Sequence, residues 1–440
     1  MTSVIPAVGK PRPMRLPTFG DHTLANGLRV LVARRPGIPR FEARLVLPVA
    51  HGGAGEGPRL RVFTETLLSG TPTRTSREIA EDLQALGGGL GSSADAEQLV
   101  LGGSCLSVHR RAFLELAGEV VRDASFPADE VAIERERVVQ EIALLRSQPG
   151  VVAGDALVRR LYGTHAYGQG TPDPEAVASV RPAALRALHD GRVRPGHAVM
   201  VIVGDVDVSR TIEDVEAAFG QWQAGGAFRE LGRPKVATPS SLLLVDRPGA
   251  VQSNIRIGGR ALPRSDPEYA ALALAVTVFG GYFTSRLNDN IREQKGYTYG
   301  AHSRVEHRKA MAQLTVAADV GRDVTAASLV EVTYELGRMV SLPVEQAELD
   351  AARRYLQGTM AMGVQTQAGL ASFIATLVSA GLGVEYLRDY PAALEKVTVD
   401  DVLDVSRRFL APHALTTVVV GDASAVGPAL RALGEVERGT

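Results

Sequence analysis

The sequence predicts an α+β protein of two homologous domains, each a mostly antiparallel sheet covered by helices. Three observations lead there. The run "VIVGD", Val201–Asp205, recurs as "VVVGD", Val418–Asp422, 217 residues later, and the same offset aligns Val180 with Val397, Leu188 with Val405 and Pro195 with Pro412. A helix, a proline turn and a buried strand thus repeat together. At a slightly smaller offset "VLVARRPG" (Val30–Gly37) matches "LLLVDRPG" (Leu242–Gly249), and "LLSG" (Leu67–Gly70) falls on "VFGG" (Val278–Gly281). Finally, strands and helices are mixed without strict one-for-one alternation, which argues against a doubly wound sheet.

Taken in order, "GLRVLVARR" reads as a strand, and "FEARLVLPV", which alternates at its start, as another. "GPRLRVFTETLLSGT", Gly57–Thr71, is patterned as a helix that stops at Gly70-Thr71. "TRTSREIAEDLQALGGG" is a helix with a capping box of Thr75 and Glu78, a face of Ile79, Leu83 and Leu86, and a stop at Gly87. "SVHRRAFLELAGEVVRDASF" and "PADEVAIERERVVQEIALLRSQ" are longer helices, the second opened by Pro127. The stretch Gln223–Ser241 is rich in glycine, proline and small polar residues and has no period, so it reads as a linker. Residues 1–222 and 242–440 are then the two domains.

Composition narrows the function classes. The 440 residues are 45% hydrophobic and 22% charged, with 48 Lys and Arg against 49 Asp and Glu. That balance offers no electrostatic basis for a nucleic-acid or acidic-membrane partner. The single cysteine, Cys105, rules out an intrachain disulfide and fits a reducing compartment as a buried small hydrophobe. The N-terminal "MTSVIPAVGKPRPMRLP" has no apolar core of signal length, and no run approaches the roughly 18–20 apolar residues of a membrane span. A cytoplasmic protein is the expectation.

Local motifs offer little chemistry on their own. "LGGGLGSS", Leu86–Ser93, has the glycine density of a phosphate loop but follows a helix, so it reads as a helix cap and tight turn. His302 and His307, five apart, share neither a helix face nor a strand face. HExxH and G-x-S-x-G are both absent. In "ERERVVQEIALL" Glu134 and Glu141 lie on one helix face, two turns apart, which taken alone is a solvated face.

Together, the spaced motifs from "LANGLRVLV" to "VVVGD" resemble the pitrilysin- or insulinase-type metallopeptidases, the inverzincins that carry H-x-x-E-H, among them mitochondrial processing peptidase. The resemblance implies that the chain forms half of a clamshell. In active members two histidines and a distal glutamate hold zinc, and the inner glutamate is general base for a zinc-bound water. Counting back from Gly70-Thr71, the histidine positions hold Arg61 and Glu65, and the base position holds Thr64. Arginine has no lone pair for a metal, and threonine is no base near neutral pH. Glu141 matches the third ligand and Glu134 its companion.

The second half departs less. "GGYFTSRLNDNIREQKGYTYG", Gly280–Gly300, matches the family motif whose arginine and tyrosine bind substrate backbone and a developing oxyanion; these fall on Arg292 and Tyr299. Without the family, the same stretch reads as a helix end capped by Gly296 and a following strand.

The resemblance therefore implies a non-catalytic subunit with no cofactor of its own. Its partner would be a homologous chain carrying His-x-x-Glu-His and zinc, and the substrate a peptide, either a leader peptide or a general oligopeptide. Homodimerisation without that partner stays open. A scaffold with no role in proteolysis and a hydrolase using another nucleophile are the alternatives.

Overall fold

A computed structural model describes residues 16–49, 55–225, 230–237 and 241–439. Among these described residues twelve strands make two six-stranded sheets. The first contains β1 (Thr18–Thr23), β2 (Arg29–Arg34), β3 (Arg40–Pro48), β4 (Gly89–Ala94), β5 (Gln98–Leu106) and β6 (Val199–Gly204), in the order β1-β2-β6-β3-β5-β4. The second contains β7 (Leu242–Asp246), β8 (Gln252–Ala261), β9 (Thr298–Glu306), β10 (Ala312–Gly321), β11 (Thr416–Gly421) and β12 (Val436–Gly439), in the order β12-β7-β11-β8-β10-β9. Most neighbours are antiparallel; β2-β6, β7-β11 and β7-β12 are parallel. The fold is α+β.

The sequence repeat has a structural counterpart in register. Leu31 faces Val201 across β2-β6, and Leu243 faces Val418 across β7-β11. β6 and β11 each pair in parallel with the first strand of their match and antiparallel with the second, β3 or β8. The repeat breaks at one edge, where β1 flanks the first sheet antiparallel and β12 flanks the second parallel.

Each sheet is covered by helices, as the sequence predicts, and the cover extends to both faces. In β2 and β6, Val30, Val32, Met200 and Ile202 enter the core beneath the helices of the first half. Their alternates, Leu31, Ala33, Val201 and Val203, pack against Leu370, Ala371 and Ile374 of the Gln367–Ser379 helix, which belongs to the second half. The reverse also occurs. Ala153, Leu157 and Leu161 of the Pro149–Tyr162 helix cover Val418 and Val420 on the second sheet. The halves exchange one helix each, and strands with two buried faces read as continuous apolar runs.

Side chains reinforce the join. Arg35 donates to the Val364 carbonyl at 2.6 Å, and Gln367 donates to the carbonyls of Arg35 and Ile38 at 2.9 and 3.0 Å. Glu97, in the β4–β5 turn, accepts from the Lys309 and Ala310 backbone N–H groups at 2.7 and 3.1 Å and from the Tyr167 hydroxyl. The expected linker is partly tied down: Leu231 and Val236 pack on the second core's outer layer, and Ala237 donates to the Leu161 carbonyl at 2.9 Å. Residues 226–229 and 238–240 of that stretch lie outside the described residues.

Local chemistry explains the element ends. Thr75 and Glu78 form the reciprocal capping box of the Ser76–Ala85 helix. Pro127 caps the Ala128–Ser147 helix one residue earlier than a first-turn proline would. The glycine-rich "LGGGLGSS" is more than a turn. Gly87, at φ +64°, ends the helix, and a Cβ on Gly88 would lie 2.2 Å from the Ser104 carbonyl oxygen, so these glycines let β4 lie against β5. Cys105 is fully buried, and burial pushes its thiol up to about 12. The helical run Tyr269–Gln294 is long and apolar enough to cross a membrane by length and composition, but most of its apolar stretch is buried in the second core.

Candidate functional site

In the first half two helices meet. On Glu56–Thr66, Leu60, Val62 and Phe63 turn into the core, which leaves Arg61 and Glu65, one turn apart, half-exposed. On Ala128–Ser147, Val131, Val138 and Ile142 point to the same core, and Glu134, Arg137 and Glu141 face the first helix. Arg61 donates from Nη1 to Glu65 at 2.6 Å and from Nη2 to Glu141 at 2.7 Å. Arg137 donates from Nε to Glu134 at 2.6 Å and from Nη2 to Glu65, and lies 3.7 Å from Glu141. The bond to Glu134 is the main cause holding the Arg137 guanidinium above its ordinary pKa; burial opposes it and Glu65 adds to it. Thr64 is buried; its hydroxyl donates to the Arg61 carbonyl at 2.9 Å and its own carbonyl accepts from Ser92 at 2.6 Å.

These residues do not fit a zinc ion. They include no imidazole, and guanidinium groups already occupy the carboxylates. Among the described residues no group of three or more His, Cys, Asp or Glu is arranged to hold a metal. His302 and His307 serve separate ends. His302, on β9, bonds to Arg304 at 2.7 Å. His307 bonds to the Tyr269 hydroxyl at 3.2 Å, and burial, then the charge of Arg264, pushes its pKa down to about 3.

The second half presents a different surface. After the buried Tyr269–Val276 helix the backbone widens into π turns at Thr277–Gly281 and Asp289–Gln294. Arg292 lies in the second turn. Its guanidinium sits 4.0 Å from the centre of the exposed Phe283 ring, with Glu293 at 3.5 Å. Gly296, at φ +66°, reverses the chain into β9. Tyr299 follows, with 97% of its surface exposed. Asn288 ties the two segments together: its Oδ1 accepts from the Ala301 N–H at 3.0 Å, and its Nδ2 donates to the Tyr282 carbonyl and the Ser285 hydroxyl at 3.3 and 3.2 Å.

Of the seven sequence-derived residues, Arg61, Thr64, Glu65, Glu134 and Glu141 thus gather at one helix seam, while Arg292 and Tyr299 flank one turn of the other half. No hydrogen bond or ion pair among the described residues joins the two groups. Sequence reasoning missed Arg137, Phe283 and Asn288. Phe283 stood inside the recognised motif, and Arg137 one turn from Glu134 and Glu141; that spacing was the available signal.

Residues 63–175 match the model of the insulinase family (peptidase family M16), and residues 179–356 match the M16 inactive domain. An uncharacterized zinc protease of Mycobacterium bovis is 28% identical over 88% of this chain and 90% of its own length. One of Bacillus subtilis is 23% identical over 78% and 84%. The crystal structure of an M16 inactive domain from Pseudomonas fluorescens superposes with a TM-score of 0.84 at 25% identity, covering 92% of this chain and 98% of that one. A Helicobacter pylori protease of known structure shares the fold, with a TM-score of 0.85 at 17% identity over 92% of this chain and all of that one. With both halves matched in order, the chain is a member of the insulinase-type, or M16, peptidase family.

Proposed function

We propose that this chain is the non-catalytic subunit of a heterodimeric zinc peptidase, pairing with a homologous chain that carries His-x-x-Glu-His. The observation that supports this is an asymmetry. Arg61, Glu65 and Glu141 are consumed by ion pairs with one another, whereas Tyr299 is exposed and Arg292 is held by a ring face and one distant carboxylate. General decay of function gives no reason for one half to keep its donors available. Zinc held by the partner supplies the activated water. This chain contributes two hydrogen-bond donors, the Arg292 guanidinium and the Tyr299 hydroxyl, which hold the peptide backbone and the oxyanion that forms on attack. Phe283 beneath Arg292 limits where the guanidinium can point. The substrate class is short or unfolded peptide, with leader peptides the narrower case, and the assembly works in the cytoplasm.

The test is turnover by the co-expressed pair. Arg292→Ala and Tyr299→Phe should each lower the rate by about 10²–10³-fold while the two chains still co-purify. Loss mainly in kcat identifies contacts made in the transition state, and loss mainly in KM identifies contacts that only hold substrate. If the partner alone turns over at full rate, or both variants are silent in an intact complex, the chain is a scaffold.

A further inference from the structure

Arg264 lies in the loop between β8 and the Tyr269–Val276 helix, half-buried, and among the described residues it has no ion pair. Its Nε is buried without a hydrogen-bond partner, and its guanidinium lies 5.7 Å from the centre of the Phe373 ring. The carboxylates of its own loop are engaged elsewhere: Asp266 accepts from the Glu268 N–H at 2.9 Å, and Glu268 pairs with Arg408. The stretches outside the described residues contain no Asp or Glu. A ring face offsets part of the cost of holding a guanidinium away from water, but it is no counter-charge.

Two more polar atoms of the same neighbourhood are buried without partners, the Tyr386 hydroxyl and His307 Nδ1. Tyr386 stacks on Tyr390 with ring centres 5.1 Å apart, Tyr390 lies 5.7 Å from Tyr269, and the Tyr269 hydroxyl is 3.2 Å from His307 Nε2. Burial raises the pKa of all three phenols, and the Arg264 charge opposes it in each. His307 is neutral, so when the phenol donates to Nε2 the imidazole proton sits on Nδ1. Arg264 Nε–H, Tyr386 O–H and His307 Nδ1–H are then three donors with one positive charge and no acceptor. A water accepts such bonds but leaves the charge in place; an anion accepts them and neutralises it. We propose that Arg264, Tyr386 and His307 bind a small monovalent anion, a halide or a carboxylate group, between the β8–helix loop, the β9–β10 turn and the Tyr386–Lys396 helix. Tyr390 of that helix packs both on the second core and on the layer that covers the first sheet, so the anion fastens one to the other. The inference concerns the isolated chain and does not depend on the heterodimer, so the two readings fail separately.

The experiment melts the full chain, as wild type, Arg264→Met and Tyr386→Phe, in sodium chloride, sodium formate or sodium methanesulfonate at one ionic strength. Methanesulfonate is the bulky reference; chloride and formate distinguish a halide from a carboxylate occupant. Wild type should melt about 2–4 °C higher in chloride or formate than in methanesulfonate. Arg264→Met should show no such gain. Tyr386→Phe keeps the charge and removes one donor, so its stabilisation should need about tenfold more of the same anion. It also carries the test if Arg264→Met does not fold. Wild-type crystals soaked in sodium bromide should show an anomalous peak within hydrogen-bond reach of Arg264 Nε. A salt response in either variant equal to that of wild type overturns the inference, as does a site without bromide, whether dry or filled by water. A bromide peak with no gain over methanesulfonate is an adventitious ion only and overturns it too.

Discussion

Glu97→Ala tests how firmly the halves are joined. The Glu97 carboxylate lies in the first half and accepts from Lys309 N–H at 2.7 Å and Ala310 N–H at 3.1 Å in the second, with the Tyr167 hydroxyl as a third donor. Tyr167 is 1% exposed, and burial, then Glu97, raises its pKa, so the hydroxyl keeps its proton to donate. A hydrogen bond to a charged group contributes about 1.5–3 kcal/mol. Three such bonds to one carboxylate are not additive, and Ala310 retains the Tyr167 oxygen at 3.2 Å as a second acceptor. The expected loss for Glu97→Ala is therefore about 3 kcal/mol, not the full sum. Glu97→Gln should lose about 1–2 kcal/mol, since its amide oxygen still accepts on one side while its NH₂ faces a donor on the other. Urea unfolding measures this, with two probes. The sole tryptophan, Trp222, is buried in the first core and reports on that half by fluorescence; far-ultraviolet circular dichroism reports on both. Wild type should give coincident transitions, and Glu97→Ala transitions that separate. An unchanged midpoint with coincident probes in Glu97→Ala would refute the latch.

Two further outcomes follow from buried groups. His307 is held neutral, with a folded pKa of about 3 against an ordinary 6.5, so only the unfolded chain gains its proton as pH falls between those values. This stability is fully present above about 6.5 and is lost toward pH 3, at up to about 1.4 kcal/mol per pH unit; His307→Phe should flatten that limb in urea midpoints taken across the range, and an unchanged slope counts against a neutral His307. At Gly258 a Cβ would lie 2.9 Å from both Leu157 Cδ2 and the Leu314 carbonyl oxygen, so Gly258→Val should push the exchanged Pro149–Tyr162 helix off the second sheet at about 1–3 kcal/mol. Amide exchange in residues 149–162 should then quicken; protection equal to wild type shows that the helix docks without this close approach.

Much of the fold was legible because it rests on apolar runs and caps. "VIVGD" and "VVVGD" are continuous apolar stretches, and a strand buried on both faces has to be. What covers the second face was not legible. Leu370, Ala371 and Ile374 give an ordinary amphipathic pattern, and nothing local distinguishes a helix that packs on its own sheet from one that packs on the other. The site divides in the same way. Arg61, Thr64 and Glu65 were singled out by counting from Gly70-Thr71, but the reach from Arg61 to Glu141 spans 80 residues and depends on how two helices cross. The π turns around Arg292 carry no sequence signature, because one extra residue per turn is a response to packing.

The helix exchange also sets a schedule for synthesis. The strands of the first sheet are complete at Gly204, yet the helix that covers Leu31, Ala33, Val201 and Val203 ends at Ser379, about 175 residues later. At a ribosomal rate of about 5–20 residues per second, that face stays bare for roughly 10–35 s. Over the same interval the Pro149–Tyr162 helix lacks part of its docking surface, since β11 begins only at Thr416. The nascent chain thus carries two unmatched apolar surfaces at once, a condition that favours chaperone capture and aggregation. A ribosome that stalls between residues 204 and 367 would release not a finished first domain but a sheet with one wet hydrophobic side.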